Sequence, residues 1–147
     1  MSELMKFIPV DSYGTCLNNK ELPSDIQGSE NFESEKFLRF LAQYKFVIAF
    51  ENAICDDYVT EKLWRTLAIG SIPIYMGAPN VQSLLPNDKS AVLVQDYASP
   101  AELAAHIKKI NSNDSEYGSY LQHKKVFNRG NSLIRNKNLV DMVAKRR

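Results

Sequence analysis

The sequence has 147 residues, 44% of them hydrophobic, and a formal net charge of +1. This length and apolar content suit one folded domain with a sizeable core, and they argue against disorder of the whole chain. Near-neutral charge does not favour nucleic acid or a membrane surface as a partner. No apolar run reaches the roughly 18 residues of a membrane span, and the first ten residues lack the basic start and apolar core of a signal peptide.

Cysteine usage and charge distribution leave two questions open. Cys16 and Cys55 lack metal-ligand spacing, so they are free thiols or, in an oxidising compartment, a disulfide pair. From His123 onward, eight basic residues and one acidic residue give a net charge of +7, which leaves −6 for the preceding residues. A tail of this kind can contact nucleic acid or acidic lipid, but the ordinary interpretation is a solvated helix or a truncated end.

The first 44 residues predict a strand, an irregular stretch and a helix. A strand is expected over Lys6–Asp11, and turn-forming residues make 18–30 an excursion without regular structure. Helical spacing of apolar residues predicts a helix over Phe32–Tyr44. Its inward side chains are expected to be Phe37, Leu38, Phe40 and Leu41.

The most informative stretch is a predicted strand, helix and second strand. Apolar, β-branched runs favour strands over Lys45–Phe50 and Ile72–Met76, and the spacing between them favours a helix over Tyr58–Ile69 that ends at Gly70. Such a β-α-β unit places the carboxyl ends of both strands and the helix start at one crevice, where ligands of α/β sheets bind. Backbone N–H groups at a helix start attract an anion, typically phosphate.

Further elements complete an alternating pattern. Another strand is expected over Ala91–Val94, a helix capped by Ser99 follows, and a last helix capped by Asp114 is expected to reach Phe127. Alternation predicts an α/β, Rossmann-like domain with a mostly parallel sheet and helices on both faces. We therefore predict one domain over 1–127 and a basic tail over 128–147.

Polar side chains are expected to line the crevice. Lys62 near a helix start opposes the helix dipole, and a bound diphosphate would reverse that penalty. Glu61 can accept the hydroxyls of a ribose, and Tyr58 can bond a phosphate or stack on a sugar. The expected lining is Glu51, Asn52, Asp56, Asp57, Tyr58, Thr60, Glu61 and Lys62.

Each candidate also has an ordinary structural interpretation. Glu61 and Lys62 can be solvated charges of a first helical turn, and Arg65 can reach a phosphate or simply pair with a carboxylate. Asp56 and Asp57 are expected to cap the helix rather than act in catalysis. Of the remaining candidates, Trp64 and Tyr75 are expected in the core, His106 at its boundary and His123 on the surface.

Known nucleotide and catalytic motifs are absent from the sequence. It contains no G-x-G-x-x-G, no G-x-x-x-x-G-K-[ST], no serine elbow and no Cys–His pair. The residues alone therefore predict a phosphate-bearing ligand bound at a helix start and do not identify it further.

The string FENAICDDYVTEKLWRTLAIGSIPIYMGAP resembles the donor-binding signature of the α1,3-fucosyltransferases, glycosyltransferase family 10. The resemblance extends over roughly Lys6–Lys124 and is nearest to the animal branch linked to protein O-fucosylation. It implies a GT-B enzyme that transfers fucose from GDP-fucose to a glycan or glycoprotein with inversion and without a metal, this chain being its carboxyl-side half. The donor-binding residues would be Glu51, Asn52, Tyr58, Val59, Glu61 and Lys62, with Arg65 as a further candidate.

The resemblance also implies parts that this sequence lacks. An acceptor domain with the catalytic base and a membrane anchor are expected ahead of Met1, so we expect a fragment, partial gene model or short isoform with little turnover. The alternative is a non-catalytic nucleotide-sugar-binding or interaction module. Family membership would place the protein in the Golgi or endoplasmic reticulum lumen. There the Asn113 sequon can carry a glycan and a Cys16–Cys55 bridge is allowed.

Overall fold

A parallel sheet forms the centre of the fold. The computed structural model describes residues 1–124. Within them the sheet has three strands, β1 (Phe46–Phe50), β2 (Ile72–Met76) and β3 (Val92–Leu93), in the order β1-β2-β3. Both pairings are parallel, with Phe46 opposite Ile72 and Ile74 opposite Val92. The predicted α/β class with a parallel sheet is confirmed.

Four capped α-helices accompany the sheet within residues 1–124. They are α1 (Glu35–Leu41), α2 (Glu61–Ala68), α3 (Pro100–Ser112) and α4 (Asp114–Tyr120). Ser99 caps α3 as predicted, because its hydroxyl accepts from the Glu102 N–H at 3.2 Å. The last helix is capped one residue earlier than predicted, by Asn113, whose side chain accepts from the Glu116 N–H at 3.0 Å.

Helices cover both faces of the sheet, as predicted. Successive residues of a strand point to opposite faces, and β2 shows this alternation. Ile74 belongs to one core cluster with Ile107 of α3. Tyr75 belongs to a second cluster, with Leu63 of α2. Each buried large apolar side chain contributes about 1.5–3 kcal/mol, so both helices are held firmly against the sheet.

The predicted strand over Lys6–Asp11 is wrong. Residues Leu4–Lys6 form a short 3-10 helix, and the chain after it is irregular. Proline at position 9 has no N–H for a strand ladder. In addition, the Asn19 side chain hydrogen-bonds to the backbone of this segment. It donates to the Val10 carbonyl at 2.8 Å and accepts from the Ser12 N–H at 2.8 Å. A side chain from the irregular stretch thus replaces a neighbouring strand.

Two predictions of burial are also wrong. Trp64 is 42% exposed. Leu63 and Leu67 share the buried face of α2, and Trp64 lies on a different face, which is turned toward solvent. His123 was expected on the surface but is only 5% exposed. By contrast, Tyr75 is 2% exposed and lies in the core as predicted, and His106 lies at the boundary.

The first predicted helix is shorter than expected. It begins after Ser34, which accepts from the Phe37 N–H at 3.2 Å, and a 3-10 turn precedes it. Phe37 is buried, while Leu38, Phe40 and Leu41 are half-buried. The predicted basic tail over 128–147 lies outside the described residues. The last helix was predicted to reach Phe127, but α4 ends at Tyr120. None of the helices formed by residues 1–124 has both the length and the apolar character to cross a bilayer.

Acidification from about pH 7.5 to about pH 5.5 should lower the melting temperature. Burial lowers the pKa of both His106 and His123 from the ordinary value of 6.5. The unfolded chain therefore binds more protons than the folded chain as pH falls through this window, and the folded state loses stability. Thermal melts across the window test this. A variant carrying both His106→Gln and His123→Asn should show a flatter profile, and an equally steep one would refute the assignment.

Candidate functional site

The predicted crevice forms where β1 and β2 end. The Glu51 N–H donates to the Met76 carbonyl at 2.8 Å, which extends the strand pairing by one residue. The chain then leaves the sheet in a loop over residues 52–60, which we call the crevice loop, and enters α2. Thr60 is the N-cap of α2, and its hydroxyl accepts a long bond from the Lys62 N–H at 3.5 Å. The strand ends and the helix start therefore meet as predicted.

Glu51 lies behind this crevice rather than in it. Its side chain has 0% exposure. One carboxylate oxygen accepts from the Thr60 N–H at 2.8 Å, and the other accepts from the Thr60 hydroxyl at 2.7 Å and from Lys62 Nζ at 3.4 Å. Glu51 as a direct donor ligand stays a prediction, and both of its carboxylate oxygens are bonded to Thr60 and Lys62 in this structure.

Lys62 is the cation of the site. Its side chain is 27% exposed, and Nζ lies 3.1 Å from the Thr60 hydroxyl and 3.6 Å from a Glu61 carboxylate oxygen. The buried Glu51 carboxylate fixes the position of the Lys62 ammonium, and the partial exposure of Lys62 leaves this ammonium accessible. An ammonium fixed at a helix start is suited to bind a phosphate group, since both the charge and the helix dipole favour an anion there.

The start of α2 is partly occupied by its own side chains. Burial acts to raise the pKa of Glu61, but hydrogen bonds from its own backbone N–H and from Thr60, with the charges of Lys62 and Arg65, hold that pKa below its ordinary value. The Glu61 side chain is 54% exposed. This arrangement differs from the expected open helix start, because the Thr60 hydroxyl and the Glu61 carboxylate already accept from the first N–H groups of α2.

The other predicted residues divide into exposed and packed groups. Asn52 is exposed, and Tyr58 is 38% exposed at the far side of the crevice loop. Val59 is half-buried and packs against the core cluster of α2. Arg65 donates to the Glu33 carboxylate at 2.9 Å and to the Phe32 carbonyl at 3.3 Å. Of the two alternatives for Arg65, the structure shows the carboxylate pair.

Asp56 and Asp57 are not helix caps. Both are exposed, and Thr60 takes the capping role that was predicted for them. Asp57 instead has a left-handed backbone with φ of +61° and bonds to Asn80. Sequence reasoning missed Asn80, and the only signal for it was the ability of Asp and Asn to adopt this conformation and to bond locally.

A second missed feature lies beneath Glu51. A Cβ placed on Gly77 would come within 2.5 Å of Glu51 Cγ and 2.8 Å of Tyr75 Cζ. The Tyr75 hydroxyl accepts from the Ala78 N–H at 3.1 Å and donates to the Tyr58 carbonyl at 3.5 Å. Glycine at position 77 therefore permits the close approach on which the site is built. A glycine between a strand end and Pro79 was the available signal.

Other candidate chemistry lies away from this site. Cys16 and Cys55 are both exposed and both free, and residues 1–124 hold no cluster of three potential metal ligands. A cavity of about 600 Å³ lies along the outer edge of β1, lined by Ile8, Val47 and Ile107 among others. It contains none of the predicted site residues.

Comparison with known proteins gives the family. Residues 1–144 match the family described as Glycosyltransferase family 10 (fucosyltransferase) C-term. GDP-fucose protein O-fucosyltransferase 3 of Xenopus laevis is 48% identical over 147 residues, which are 100% of this chain and 30% of the relative. Alpha-(1,3)-fucosyltransferase B of Drosophila melanogaster is 46% identical over 147 residues, which are 99% of this chain and 33% of the relative. The chain thus spans about a third of these relatives.

Solved structures agree with this match. A crystal structure of an α1,3-fucosyltransferase with GDP-fucose shares the fold with a TM-score of 0.64 and 27% sequence identity, covering 97% of this chain and 40% of that one. A structure of an α1,3-fucosyltransferase with GDP gives the same TM-score, 0.64, at 26% identity. The chain therefore belongs to glycosyltransferase family 10, the fucosyltransferases, and corresponds to the carboxyl-terminal part of that family.

Proposed function

We propose that this chain binds GDP-fucose and forms the donor-binding part of a fucosyltransferase that acts on a glycoprotein or glycan hydroxyl. The observation that carries the proposal is the Lys62 ammonium, fixed by the buried Glu51 carboxylate at the start of α2. The fold shared with a family member whose structure contains GDP-fucose supports it. The names of the relatives support a protein acceptor.

In this proposal each residue of the crevice has a distinct role. Lys62 and the first amides of α2 contact the diphosphate, Glu61 accepts ribose hydroxyls, and Tyr58 and Asn52 contact the phosphate or the sugar. An acceptor hydroxyl loses its proton to a base and attacks the anomeric carbon opposite the phosphate, and the bond to the β-phosphate oxygen breaks with its electrons leaving on GDP. Lys62 stabilises the growing charge because it is already in place. The proposal involves no metal or other cofactor.

Donor binding without turnover is a second candidate for this chain alone. A catalytic base needs a carboxylate that is free to take a proton. Glu51 is bonded at both oxygens, and the pKa of Glu61 is held below its ordinary value. Neither carboxylate at the helix start is therefore suited to deprotonate an acceptor. Transfer of fucose to an acceptor by the isolated chain would exclude this candidate.

Calorimetric titration with GDP, GDP-fucose and GMP tests donor binding. We expect GDP and GDP-fucose to bind, GMP to bind more weakly because it lacks the second phosphate, and EDTA to leave all three unchanged. Titration to about 1 mM detects even a site worth about 4 kcal/mol. A folded sample, verified by circular dichroism, that binds no GDP at this concentration would refute the proposal.

We also propose the Golgi or endoplasmic reticulum lumen as the location of the protein. Asn113 is exposed, and its cap bond uses Oδ1, whereas a glycan is attached through Nδ2. Cys16 and Cys55 are free and exposed, and an oxidising lumen allows a disulfide between them. Intact mass measurement of lumen-expressed protein reports both modifications.

A further inference from the structure

Besides the bonds between Glu51 and Thr60, the crevice loop is held by hydrogen bonds between Asp57 and Asn80. The Asp57 N–H donates to Asn80 Oδ1 at 3.0 Å, and Asn80 Nδ2 donates to an Asp57 carboxylate oxygen at 2.8 Å. These two bonds run in opposite directions between one amide side chain and one residue. The pair therefore fixes both the backbone and the side chain of Asp57.

Asp57 needs such a restraint. Its φ of +61° lies in the left-handed region, which is unfavourable for residues that carry a Cβ, although Asp and Asn tolerate it best. The turn is tight, with the Tyr58 N–H donating to the Cys55 carbonyl at 3.2 Å and the Val59 N–H to the Asp57 carbonyl at 3.0 Å. Without its partner, residue 57 is expected to leave this conformation.

Asn80 is itself firmly placed. Its carbonyl accepts from the Ser83 N–H at 3.1 Å and from the Ser83 hydroxyl at 2.9 Å. The next residue, Val81, is 1% exposed and belongs to the core cluster beneath α2. The turn after β2 thus presents the Asn80 amide from a rigid base to a loop that is otherwise exposed.

We propose that Asn80 is a positioning residue for donor binding, acting through Asp57 on Tyr58. Glu51 holds the end of the crevice loop at Thr60, and Asn80 holds its middle at Asp57, so Tyr58 lies between two fixed points. This inference rests on the proposed binding of GDP-fucose at the crevice. The restraint that Asn80 places on the crevice loop can be measured separately from donor binding.

An exchange of partners tests the pair. Asn80→Asp places two carboxylates against each other, whereas combining it with Asp57→Asn restores one donor and one acceptor in reversed roles. Asn80→Ala removes the bonds without adding charge. Asp57→Asn alone keeps an acceptor for Asn80 Nδ2 and serves as the mild variant. Gln82→Glu is the charge control, because it adds a negative charge at a neighbouring exposed position outside the pair.

Two measurements are made on each variant, the GDP-fucose dissociation constant and the hydrogen exchange of amides 55–60. We expect Asn80→Asp and Asn80→Ala to weaken binding about tenfold, equivalent to about 1.4 kcal/mol, and to speed exchange. The reversed pair should recover both values, and Gln82→Glu should leave both near wild type. Wild-type exchange in Asn80→Asp, or a reversed pair as impaired as that single variant, would overturn the inference. If the wild-type protein binds no donor, the proposed function has failed. Hydrogen exchange alone then decides whether Asn80 restrains the crevice loop.

Discussion

Replacing Lys62 by methionine should weaken GDP binding at least about thirtyfold and also lower the free energy of unfolding. Binding is weakened because the cation that meets the diphosphate is removed from the start of α2. Stability is lost because the Glu51 carboxylate, with 0% of its side chain exposed, is left buried without its counter-charge.

The size of each effect follows from the burial of the pair. Breaking a buried ion pair costs about 3 kcal/mol at the lower end of its range, and the lower end applies because 27% of the Lys62 side chain is exposed. Truncating a buried charged partner in a binding site costs about 2–5 kcal/mol, or at least about thirtyfold in affinity. Calorimetry with GDP and urea unfolding measure the two losses separately.

A second substitution separates the two effects. Glu51→Gln combined with Lys62→Met removes both charges, so stability should return most of the way to wild type while GDP binding stays as weak as in Lys62→Met. Lys6→Met is the matched control, since Lys6 pairs with Glu3 where both side chains are more than half exposed. Wild-type GDP affinity in the double variant would contradict the role of Lys62 in holding the diphosphate.

Replacing Gly77 by alanine should destabilise the protein by about 1–3 kcal/mol, the usual cost of overpacking. The new methyl group would lie 2.5 Å from Glu51 Cγ and closer still to the Tyr75 hydroxyl. Because Glu51 has to move, Lys62 and Thr60 lose their anchor, and we expect GDP affinity to fall with stability. Thermal melting and GDP titration of the same sample measure both.

Gly118→Ala is the matched control for Gly77→Ala. Gly118 lies within α4, and a Cβ there meets nothing within 4 Å. Alanine should therefore stabilise the helix by up to about 1 kcal/mol and leave GDP binding unchanged. Equal stability and equal GDP affinity of wild type and Gly77→Ala would show that Glu51 can shift without harm, which would contradict its role in the site.

The strands of the central β-α-β unit were predictable because their boundaries are local, whereas α2 begins at Glu61 rather than at the predicted Tyr58. β2 was predicted residue for residue, since an apolar run between two glycines leaves little freedom. The error at Lys6–Asp11 arose because Asn19, distant in sequence, supplies the hydrogen bonds that a strand would need. Trp64 was misplaced because its apolar character suggested burial, whereas the face of α2 is decided by Leu63 and Leu67.

The site was predictable in composition but not in arrangement. Lys62 and Glu61 could be proposed because their charge at a helix start is visible in sequence, and both lie at the start of α2. The burial of Glu51 depends on the close approach of Gly77, and the Asp57–Asn80 pair joins residues 23 positions apart. Contacts of this kind are set by the tertiary fold, and a single sequence carries no local signal for them.

The outer side of β1 has a practical consequence for these experiments. Within residues 1–124, β1 pairs only with β2, and the cavity of about 600 Å³ lies along its other side. An apolar strand with an unpaired edge is a template for pairing with another chain. Three charged residues line the cavity, Asp11, Lys45 and Lys108, and the Lys45 ammonium donates to the Asn111 carbonyl at 3.3 Å. We therefore expect purified protein to associate into larger particles as sample concentration rises.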